Sequence, residues 1–443
     1  RRQVRPLAPG EEAHVRLRVP VPDARLWSPD DPALYAATAT LTAGGVPQQV
    51  ERRAVGLRSV RVVDGMLRLN GRQLDLRGAS IQEDVPGRGA AMSDADVKDI
   101  VDGLQAVHAN VTRAHYLLDE RLLNALDAAG IMVWSQAPIY HRDRQLETPA
   151  QRAQALATLR GTVLAARSHP SVITHSVGNE LSAVPDTVPG TRAYLAAARA
   201  TVAELDPTVP PSVDMLSYPG YRRQEAYARF PLLGINSYFG WYPGKKAHPT
   251  GRLADLGPFL DRMRRMYAGS GLVVTEFGAE STFAGPASEK ETYAFQDKYI
   301  RDVLHQLDQR PWVGGAIYWT LREFAVKPAW DGGAKRPVAR DAIHNKGLIS
   351  YAGVRKPAWA IAARDFAGTP LYQSVSPSLA AGLPQGGAGG SPVVLLLVAG
   401  LVLVGLVVDL WAVAGILDLR LPARRPVPAA APELSPRSAP APR

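Results

Sequence analysis

The pattern of hydrophobic and polar positions changes at about residue 59 of the 443-residue chain. Before it, runs such as HVRLRVPVP and ALYAATATLTAGG alternate apolar and polar residues, with Pro and Gly-Gly between them. Alternation with a period of two predicts antiparallel strands, but the segment is too short for a complete β-sandwich. Residues 1–58 therefore predict part of a sandwich. Because the chain opens on Arg1 in the middle of this pattern, without a signal peptide, we expect the sequence to be a fragment.

Between residues 59 and 370, short apolar runs alternate with amphipathic helices. The apolar runs that predict strands are 73–80, 110–116, 131–136, 172–180, 211–216, 232–238, 272–278 and 314–320. The segments between them show helical periodicity, and Ser93 is placed to cap the first helix. This repeated alternation indicates a (β/α)8 TIM barrel of the α/β class. A doubly wound open sheet is the alternative, but it more often carries a Gly-rich phosphate turn after its first strand, and the sequence shows none.

After the barrel, the composition shifts to small residues and then to a long apolar run. Residues 371–392 predict a flexible linker. Residues 393–417 form a run of 25 residues with one charge, Asp409, which predicts a C-terminal transmembrane helix. Residues 418–443 are rich in Pro, Ala and Arg and predict a disordered tail. Arginines follow the span and none precedes it in the linker, so we expect a single-pass protein of the cell membrane with an extracellular barrel and a cytoplasmic tail.

The charge and the cysteine content narrow the classes of function. The chain has 51 Lys and Arg residues against 41 Asp and Glu, a formal net charge of +10. These basic residues are scattered and do not interleave with aromatic residues in a dense patch, so we expect no nucleic-acid partner. The chain has no cysteine, which excludes disulfides, thiolate metal sites and a cysteine nucleophile. The sequence predicts no cofactor and no metal, and it leaves the oligomeric state open.

Polar side chains follow the predicted strands, at the ends that face the mouth of such a barrel. These residues are Arg113, His115, Asn179, Glu180, Tyr238, Glu276 and Trp319. The two carboxylates follow the fourth and the seventh strand, and in a closed barrel those ends can face each other. Glycoside hydrolysis needs such a pair, because one carboxyl protonates the leaving oxygen and the other attacks or activates water. The other side chains could orient the carboxylates and stack on a sugar face.

Several stretches resemble motifs of the family 2 glycoside hydrolases, which include β-galactosidases, β-glucuronidases and β-mannosidases. SHPSVITHSVGNE is similar to the family's acid/base stretch, and VVTEFG to its nucleophile stretch. GINSYFGWY is similar to a stretch of the β-glucuronidase branch, and LWSPDDPALY to the end of the immunoglobulin-like domain before the barrel. The resemblance implies a retaining exo-β-glycosidase that acts on terminal β-galactosides or β-glucuronides. It also implies that residues 1–58 are part of an immunoglobulin-like β-sandwich.

The resemblance implies roles for the residues at the strand ends. Glu180 would be the general acid/base and Glu276 the nucleophile, which Arg113 would keep ionised. Asn179 would hydrogen-bond the sugar 2-hydroxyl, and Tyr238 would donate to the nucleophile. Since Glu180 has to keep its proton near neutral pH, we expect burial and the neighbouring charge of Glu276 to raise its pKa.

Further sugar contacts follow from the same resemblance. Trp319 would form the floor of the sugar pocket, and His115 would contact the sugar. Gln82 stands where the family often has His. Lys346 lies in IHNKGL, which is similar to the Asn-x-Lys pair that grips the substrate carboxylate in glucuronidases, but His344 stands in place of that Asn. The sequence therefore allows glucuronide specificity and does not establish it.

Two other classes of function stay open. One is a catalytically inactive, membrane-anchored carbohydrate-binding protein on the same fold. The other is a metal-dependent hydrolase. The histidines, however, show neither a His-x-His nor a His-Glu-x-x-His spacing.

Several polar and aromatic residues outside the predicted site need another explanation. We interpret His169 and His175 as structural residues. Glu83 and Asp84 follow the first barrel strand, and we expect them to shape their loop through hydrogen bonds. Three aromatic side chains either line sugar subsites or pack long loops, namely Trp241, Tyr242 and Trp330.

Overall fold

The structure of the protein is a computed structural model that describes residues 2–11, 13, 15, 17–140, 143–328 and 342–373. No helix within these ranges is long and apolar enough to cross a membrane. The predicted span 393–417, the predicted tail 418–443 and Trp330 lie outside the described residues, as does the predicted linker beyond residue 373.

The eight predicted barrel strands occur in the predicted order, and the structure adds short strands that the sequence did not predict. In chain order, the described strands are β1 (Tyr35–Ala43), β2 (Val46–Val55), β3 (Val60–Val63), β4 (Met66–Leu69), β5 (Arg72–Gln73), β6 (Leu76–Ala79), β7 (Val111–Arg113), β8 (Met132–Gln136), β9 (Val172–Asn179), β10 (Pro211–Leu216), β11 (Leu232–Asn236), β12 (Gly244–Lys245), β13 (His248–Pro249), β14 (Gly271–Phe277), β15 (Ser281–Phe283), β16 (Glu291–Thr292), β17 (Val313–Tyr318), β18 (Phe324–Ala325) and β19 (Ile343–His344). The described α-helices are α1 (Asp94–Ala106), α2 (Glu120–Ala129), α3 (Pro149–Ala166), α4 (Pro189–Leu205), α5 (Glu225–Ala228), α6 (Leu256–Met266), α7 (Tyr293–Asp308) and α8 (Ala358–Gly368). Regular alternation of strand and helix begins at β6.

Eight of these strands close into a parallel barrel in the order β6, β7, β8, β9, β10, β11, β14 and β17. β17 pairs with β6, so the sheet has no open edge. Every residue of β8, β9, β11, β14 and β17 is buried, which explains why these strands form almost continuous apolar runs in the sequence. The predicted TIM barrel is confirmed, and the alternative of a doubly wound open sheet is wrong.

The first helix begins where the sequence predicts. The Ser93 hydroxyl accepts from the backbone N–H of Asp96 at 3.3 Å, and the Asp96 carboxylate accepts from the backbone N–H of Ser93 at 2.7 Å. This reciprocal pair is a capping box, which satisfies two backbone donors at the start of α1. The prediction of Ser93 as the N-cap is confirmed.

Two hydrophobic clusters hold the barrel together. The larger one lies between the strands and the surrounding helices. In the smaller one, Leu67 and Leu69 of β4 share a cluster with Val111, Met132 and Leu232, which are the first residues of β7, β8 and β11. The short sheet β3–β4–β5 therefore covers the N-terminal end of the barrel. The polar strand ends lie at the opposite, C-terminal end.

Residues before β3 form an antiparallel hairpin of β1 and β2, whose side chains are mostly exposed. Trp27 joins this segment to the barrel, because its fully buried indole N–H donates to the backbone oxygen of Asp127 at 2.8 Å. The antiparallel strands predicted for residues 1–58 are confirmed by the hairpin. Their membership of an immunoglobulin-like sandwich stays a prediction.

The described residues after α8 stay in contact with the rest of the barrel domain. Tyr372 pairs with Leu74 in an isolated antiparallel bridge. The backbone N–H of Gln373 donates to the backbone oxygen of Gln73 at 3.0 Å. Contacts with the barrel therefore continue past residue 370, the boundary predicted from composition, because β5 offers hydrogen-bonding groups to the chain that follows α8.

Candidate active site

Arg113, the last residue of β7, is fully buried and joins three polar residues from other strands. Its Nη1 donates to Glu276 Oε1 at 2.8 Å, and its Nη2 donates to Asn179 Oδ1 at 2.8 Å. Its Nε and Nη2 donate to Asp214 Oδ2 at 3.1 Å and 2.9 Å. One guanidinium thus connects β7, β9, β10 and β14, because parallel strands in a closed barrel bring their C-terminal ends together.

Glu276 is a buried carboxylate with several partners that favour its ionised form. Besides the bond from Arg113, its Oε2 accepts from the hydroxyl of Tyr238 at 2.7 Å, and its Oε1 lies 3.4 Å from Nε2 of His115. Burial by itself would raise the pKa of Glu276. Arg113, His115 and Tyr238 outweigh burial and hold this pKa below its usual range. Glu276 is therefore ionised at neutral pH, as an attacking group has to be.

Glu180 follows β9 and has a different environment. Its backbone N–H donates to the backbone oxygen of Asp214 at 2.8 Å, and its φ of 52° lies in the left-handed region that few side-chain-bearing residues adopt. Its Oε1 accepts from the amide Nδ2 of Asn236 at 2.8 Å. Burial of the carboxyl, followed by the negative charge of Glu276, raises the pKa of Glu180 to about 8. Glu180 therefore keeps a proton that it can donate at neutral pH.

Asn236, the last residue of β11, fixes the geometry between the two strand ends. Its Nδ2 donates to Asn179 Oδ1 as well as to Glu180, at 2.8 Å in both cases. Its Oδ1 accepts from the hydroxyl of Thr275 at 2.9 Å. Since both ends of the amide are bonded, its orientation is set. The amide side chains of Asn179 and Asn236 thus link the carboxyl of Glu180 to the guanidinium of Arg113.

Aromatic rings lie beside these carboxyls. The His115 and Trp319 ring centroids are 4.6 Å apart, and the Tyr140 ring centroid lies 6.1 Å from that of His115. Trp319 is buried, whereas 46% of Tyr140 is exposed. An aromatic surface next to a carboxylate pair is suited to the apolar face of a sugar ring. The predicted contacts of Trp319 and His115 with a sugar stay predictions.

Lys346 is a buried cation beside the ring of Tyr238, whose hydroxyl donates to Glu276. Its Nζ donates to the Tyr242 hydroxyl at 2.9 Å and to Glu280 Oε1 at 3.1 Å, and lies 5.5 Å from the ring centroid of Tyr238. Burial by itself would lower the pKa of Lys346, but Tyr242 and Glu280 outweigh it and raise this pKa. The side chain is therefore charged at neutral pH. It is also paired within the chain to Glu280.

His344 lies beside Lys346 and is uncharged. Its ring stacks on Phe324 with centroids 4.7 Å apart and an interplanar angle of 11°. Its Nε2 lies 3.5 Å from Nζ of Lys346. Burial, followed by the charge of Lys346, holds the pKa of His344 well below its usual range. Where the glucuronidase motif has an amide, this chain thus presents a neutral imidazole that can accept from Lys346.

Gln82 is the one predicted site residue that the described structure does not connect to this network. It is half-buried after β6 and lines a small cavity with Asp84, Asp99 and Arg322. A sequence position cannot fix which way a side chain points from a loop, and here the loop after β6 runs beside α1. The predicted sugar contact of Gln82 stays a prediction.

Sequence reasoning missed three residues that complete the site, namely Asp214, Asn236 and Glu280. A signal was available for the first two, since both are polar residues within the apolar runs PSVDML and LLGINSY. A polar side chain inside a strand that is buried on both faces has to find a partner. For Glu280 no signal was available, because its partner Lys346 is distant along the chain.

The residues that we interpreted as structural have structural partners. His169 Nδ1 lies 2.6 Å from Asp127 Oδ2, and His175 Nε2 lies 3.1 Å from Asp206 Oδ2. Glu83 Oε1 accepts from the backbone N–H of Asp119 at 2.9 Å. These interpretations are confirmed.

The loop after β6 and the aromatic residues after β11 also have partners. Asp84 Oδ2 accepts from the backbone N–H of Ala325 at 2.6 Å, so its predicted role in shaping the loop is confirmed. Trp241 is fully buried, whereas Tyr242 contacts Lys346 through its hydroxyl. The Trp241 ring centroid also lies 5.7 Å from Nζ of Lys346, so both rings lie next to this cation. Their contact with a sugar stays a prediction. Within the described residues, no three His, Asp or Glu side chains lie close enough together to hold a metal ion.

A closed parallel barrel with one ionised and one protonated glutamate at its C-terminal mouth is the arrangement of (β/α)8 glycoside hydrolases. Comparison with known families gives the same class. The family described as "Glycosyl hydrolases family 2, TIM barrel domain" matches residues 60–329, and "Glycosyl hydrolases family 2" matches residues 3–58. The chain belongs to family 2 of the glycosyl hydrolases.

Relatives of the chain carry several names. The chain is 26% identical over 323 residues to a β-glucuronidase from Paenibacillus borealis, covering 69% of this chain and 53% of that protein. It is 33% identical over 165 residues to a β-galactosidase from Vibrio cholerae, covering 35% of this chain and 16% of that protein. Among solved structures, a β-galacturonidase from Eisenbergiella tayi bound to galacturonate superposes with a TM-score of 0.72 at 24% identity, covering 80% of this chain and 62% of that one. This last likeness shows the fold. The chain thus spans about half the length of the first of these relatives.

Proposed function

We propose that the protein is a retaining exo-β-glycosidase, with Glu276 as nucleophile and Glu180 as general acid/base. The observation that carries this proposal is the unequal environment of the two carboxyls. Glu276 accepts from Arg113 and Tyr238, which favour the ionised form. Burial and the negative charge of Glu276 favour the protonated form of Glu180, and they outweigh the hydrogen bond that its carboxyl accepts from Asn236. Two carboxyls with separated pKa values are what general acid and nucleophile require.

The reaction proceeds in two displacements. In the first, a carboxylate oxygen of Glu276 attacks the anomeric carbon, the bond to the leaving oxygen breaks, and the proton of Glu180 passes to that oxygen. The ester that forms removes the charge of Glu276, so the pKa of Glu180 falls and its carboxylate can act as a base. In the second, a water oxygen attacks the anomeric carbon while Glu180 takes the water proton. Glu276 leaves as a carboxylate, and the sugar keeps its β configuration.

A panel of nitrophenyl β-glycosides tests this proposal on the intact protein. We expect turnover of a β-glucuronide, a β-galacturonide or a β-galactoside. Proton NMR should show the β anomer as the first product, because two displacements at one carbon restore its configuration. Appearance of the α anomer first would contradict the retaining mechanism. Binding of these sugars without turnover would instead favour the inactive carbohydrate-binding alternative.

Within this function, Lys346 favours a β-uronide as substrate. It is a buried cation beside Tyr238, the residue that bonds the nucleophile, and a substrate carboxylate is the group that such a cation would recognise. Relatives named β-glucuronidase and β-galacturonidase are consistent with this choice. A β-galactoside is the second candidate, because Glu280 already neutralises Lys346 from within the chain and His344 offers no amide donor.

Substitution of Lys346 distinguishes the two candidate substrates, a β-uronide and a β-galactoside. If the substrate is a uronide, Lys346→Met should lower kcat/KM for the nitrophenyl β-uronide about 100-fold, since a charge-assisted contact is lost. It should change kcat/KM for the β-galactoside much less. Glu280→Gln should raise kcat/KM for the nitrophenyl β-uronide, because it removes the carboxylate that pairs with Lys346. Lys298→Met, at an exposed ion pair on α7, is the matched control and should leave both constants unchanged. Equal losses on both sugars in Lys346→Met would rule out uronide recognition.

We also propose that residues 393–417 anchor the enzyme to the cell membrane, with the barrel outside. The support is the sequence: 25 residues with one charge, followed by arginines. At 1.5 Å per residue such a helix would be about 37 Å long, enough to cross a hydrocarbon core of about 30 Å with some tilt. We expect the protein in the membrane fraction, released by detergent, with the barrel open to protease on intact cells. Recovery of the full chain in the soluble fraction without detergent would refute the anchor.

A further inference from the structure

Asp214 is a buried carboxylate that touches both halves of the site. It lies within β10 and is fully buried. Its Oδ2 accepts from Nε and Nη2 of Arg113, and its Oδ1 accepts from the indole N–H of Trp134 at 3.1 Å. Its backbone oxygen accepts the N–H of Glu180. One residue thus fixes the backbone of Glu180 and, through Arg113, the contact to Glu276.

The neighbouring strand is shaped to leave room for this carboxylate. Gly234 lies on β11 next to Asp214, and the two residues are partners in the parallel register. A Cβ atom at residue 234 would lie 2.1 Å from Asp214 Oδ1 and 2.6 Å from the hydroxyl oxygen of Thr275. Any larger residue at this position would therefore displace the Asp214 carboxylate. The absence of a side chain at Gly234 therefore leaves the space that the Asp214 carboxylate occupies within the barrel.

The orientation of the Arg113 guanidinium follows from this contact. Its Nε–Nη2 edge faces Asp214, which leaves Nη1 directed at Glu276. Without Asp214, Asn179 would hold the guanidinium at a single nitrogen beside Glu276. A planar group held along one edge has a defined direction for its remaining N–H groups, whereas a single bond leaves it free to rotate.

We propose that Asp214 is a positioning residue of the reaction, which orients Arg113 toward Glu276 and shares the positive charge of Arg113 with that nucleophile. This inference rests on the proposed function, since it assigns Glu276 the nucleophilic role. The guanidinium of Arg113 accordingly donates to two carboxylates, Asp214 and Glu276. Asp214 thereby limits how strongly the guanidinium holds the nucleophile.

The charge of Asp214 acts on both carboxyls of the site. The charged and titratable groups around it are Arg113 on β7, Glu180 after β9 and Glu276 on β14, with His115 and Tyr238 next to Glu276. Burial raises the pKa of Asp214 itself, whereas the Arg113 guanidinium, 2.9 Å from Oδ2, favours its ionised form. In that form Asp214 raises the pKa of Glu180 by repulsion, as a smaller contribution than burial and Glu276. Removal of this negative charge lowers the pKa of Glu180 and lets Arg113 bind Glu276 more strongly. Both limbs of the pH–activity profile then move to lower pH.

Asp214→Asn is the variant that tests this inference. The amide oxygen can still accept from Arg113, but the charge is lost. We expect both limbs of the kcat/KM profile, measured with a nitrophenyl β-glycoside, to move down by about one pH unit. A role in folding alone would lower activity at every pH without moving the limbs. Asp214→Ser, which is smaller and also uncharged, takes its place if Asp214→Asn does not give a cooperative thermal unfolding transition.

The matched control is Asp206→Asn. Asp206 is also a buried aspartate bonded to a basic side chain, His175, but it lies outside the network of Arg113. It should lower the midpoint of thermal unfolding without moving either limb. Folded Asp214 variants whose limbs stay at the wild-type pH values would overturn the inference, as would an equal shift in Asp206→Asn. Failure of the wild-type protein to hydrolyse any nitrophenyl β-glycoside would instead overturn the proposed function, so the two failures are distinguishable.

Discussion

Glu276→Ala should abolish turnover of ordinary β-glycosides, with a loss on the order of 10⁴-fold or more in kcat. The variant has no atom that can form the glycosyl ester, and water is poorly placed to replace it. Sodium azide should restore part of the activity, because a small anion can enter the space left by the side chain. It would attack the anomeric carbon from the side on which Glu276 stands in the wild-type protein. The product should then be the α-glycosyl azide, which NMR identifies by its anomeric configuration.

The variant should stay folded, which makes the loss interpretable. Arg113 keeps Asp214 as a counter-ion when Glu276 is removed, so the buried guanidinium does not lose all of its charge partners. Glu120→Ala is the matched control, since Glu120 is an exposed member of an ion pair with Arg53 at the start of α2. It should keep wild-type kinetics. Wild-type turnover in Glu276→Ala, or azide rescue that yields the β-glycosyl azide, would remove Glu276 from the nucleophilic role.

The barrel could be predicted from sequence because its strands are buried on both faces. Such strands are short apolar runs, and the predicted runs match β6 to β11, β14 and β17 in order. Helix periodicity and the capping residue Ser93 then marked the helices between them. The hairpin of β1 and β2 could be predicted from alternation and Gly-Gly. Its surroundings could not, because sequence alternation says which face is apolar and not what covers it.

The site could be predicted only in part, for a different physical reason. Topology alone brings the ends of parallel strands together, so the sequence is enough to assign Glu180 and Glu276 to one mouth of the barrel. Pairing within that mouth depends on strand register and side-chain direction. Asp214 sits in the middle of an apolar run, and its bond to Arg113 exists because Gly234 on the next strand leaves space for it. The polar residue within this run indicates that Asp214 has a partner, but no local pattern identifies Arg113 as that partner.

The charge state of Lys346, the buried cation beside Tyr238, could likewise not be predicted from sequence. Lys346 could be noticed from the stretch IHNKGL, but its charge state depends on which groups surround it. Glu280 and Tyr242 reach it from the loops after β14 and β11, and both raise its pKa against burial. Whether this cation is available to a substrate carboxylate is therefore set by a residue that sequence reasoning did not single out.

Glu180→Ala should give a loss that depends on the leaving group. For alkyl β-glycosides and other poor leaving groups, we expect kcat/KM to fall by about 10²- to 10⁴-fold, because the departing oxygen receives no proton. For dinitrophenyl β-glycosides the first step should be nearly spared, since that oxygen is stable as an anion. The limb of the wild-type profile near pH 8, where Glu180 loses its proton, should disappear in the variant. Initial rates across a series of aryl β-glycosides measure this directly.

The second displacement provides an independent check on the same residue. Without Glu180 no base removes the proton of the attacking water, so the glycosyl-enzyme of the variant should accumulate with a dinitrophenyl β-glycoside. Azide needs no base, and it should speed release and give the β-glycosyl azide, the opposite configuration to that expected for Glu276→Ala. Glu204→Ala, at an exposed position on α4, is the control and should show neither effect. A Glu180→Ala variant that loses the same factor on alkyl and dinitrophenyl substrates would not have lost an acid, and Glu180 would then be a residue that holds the site in place.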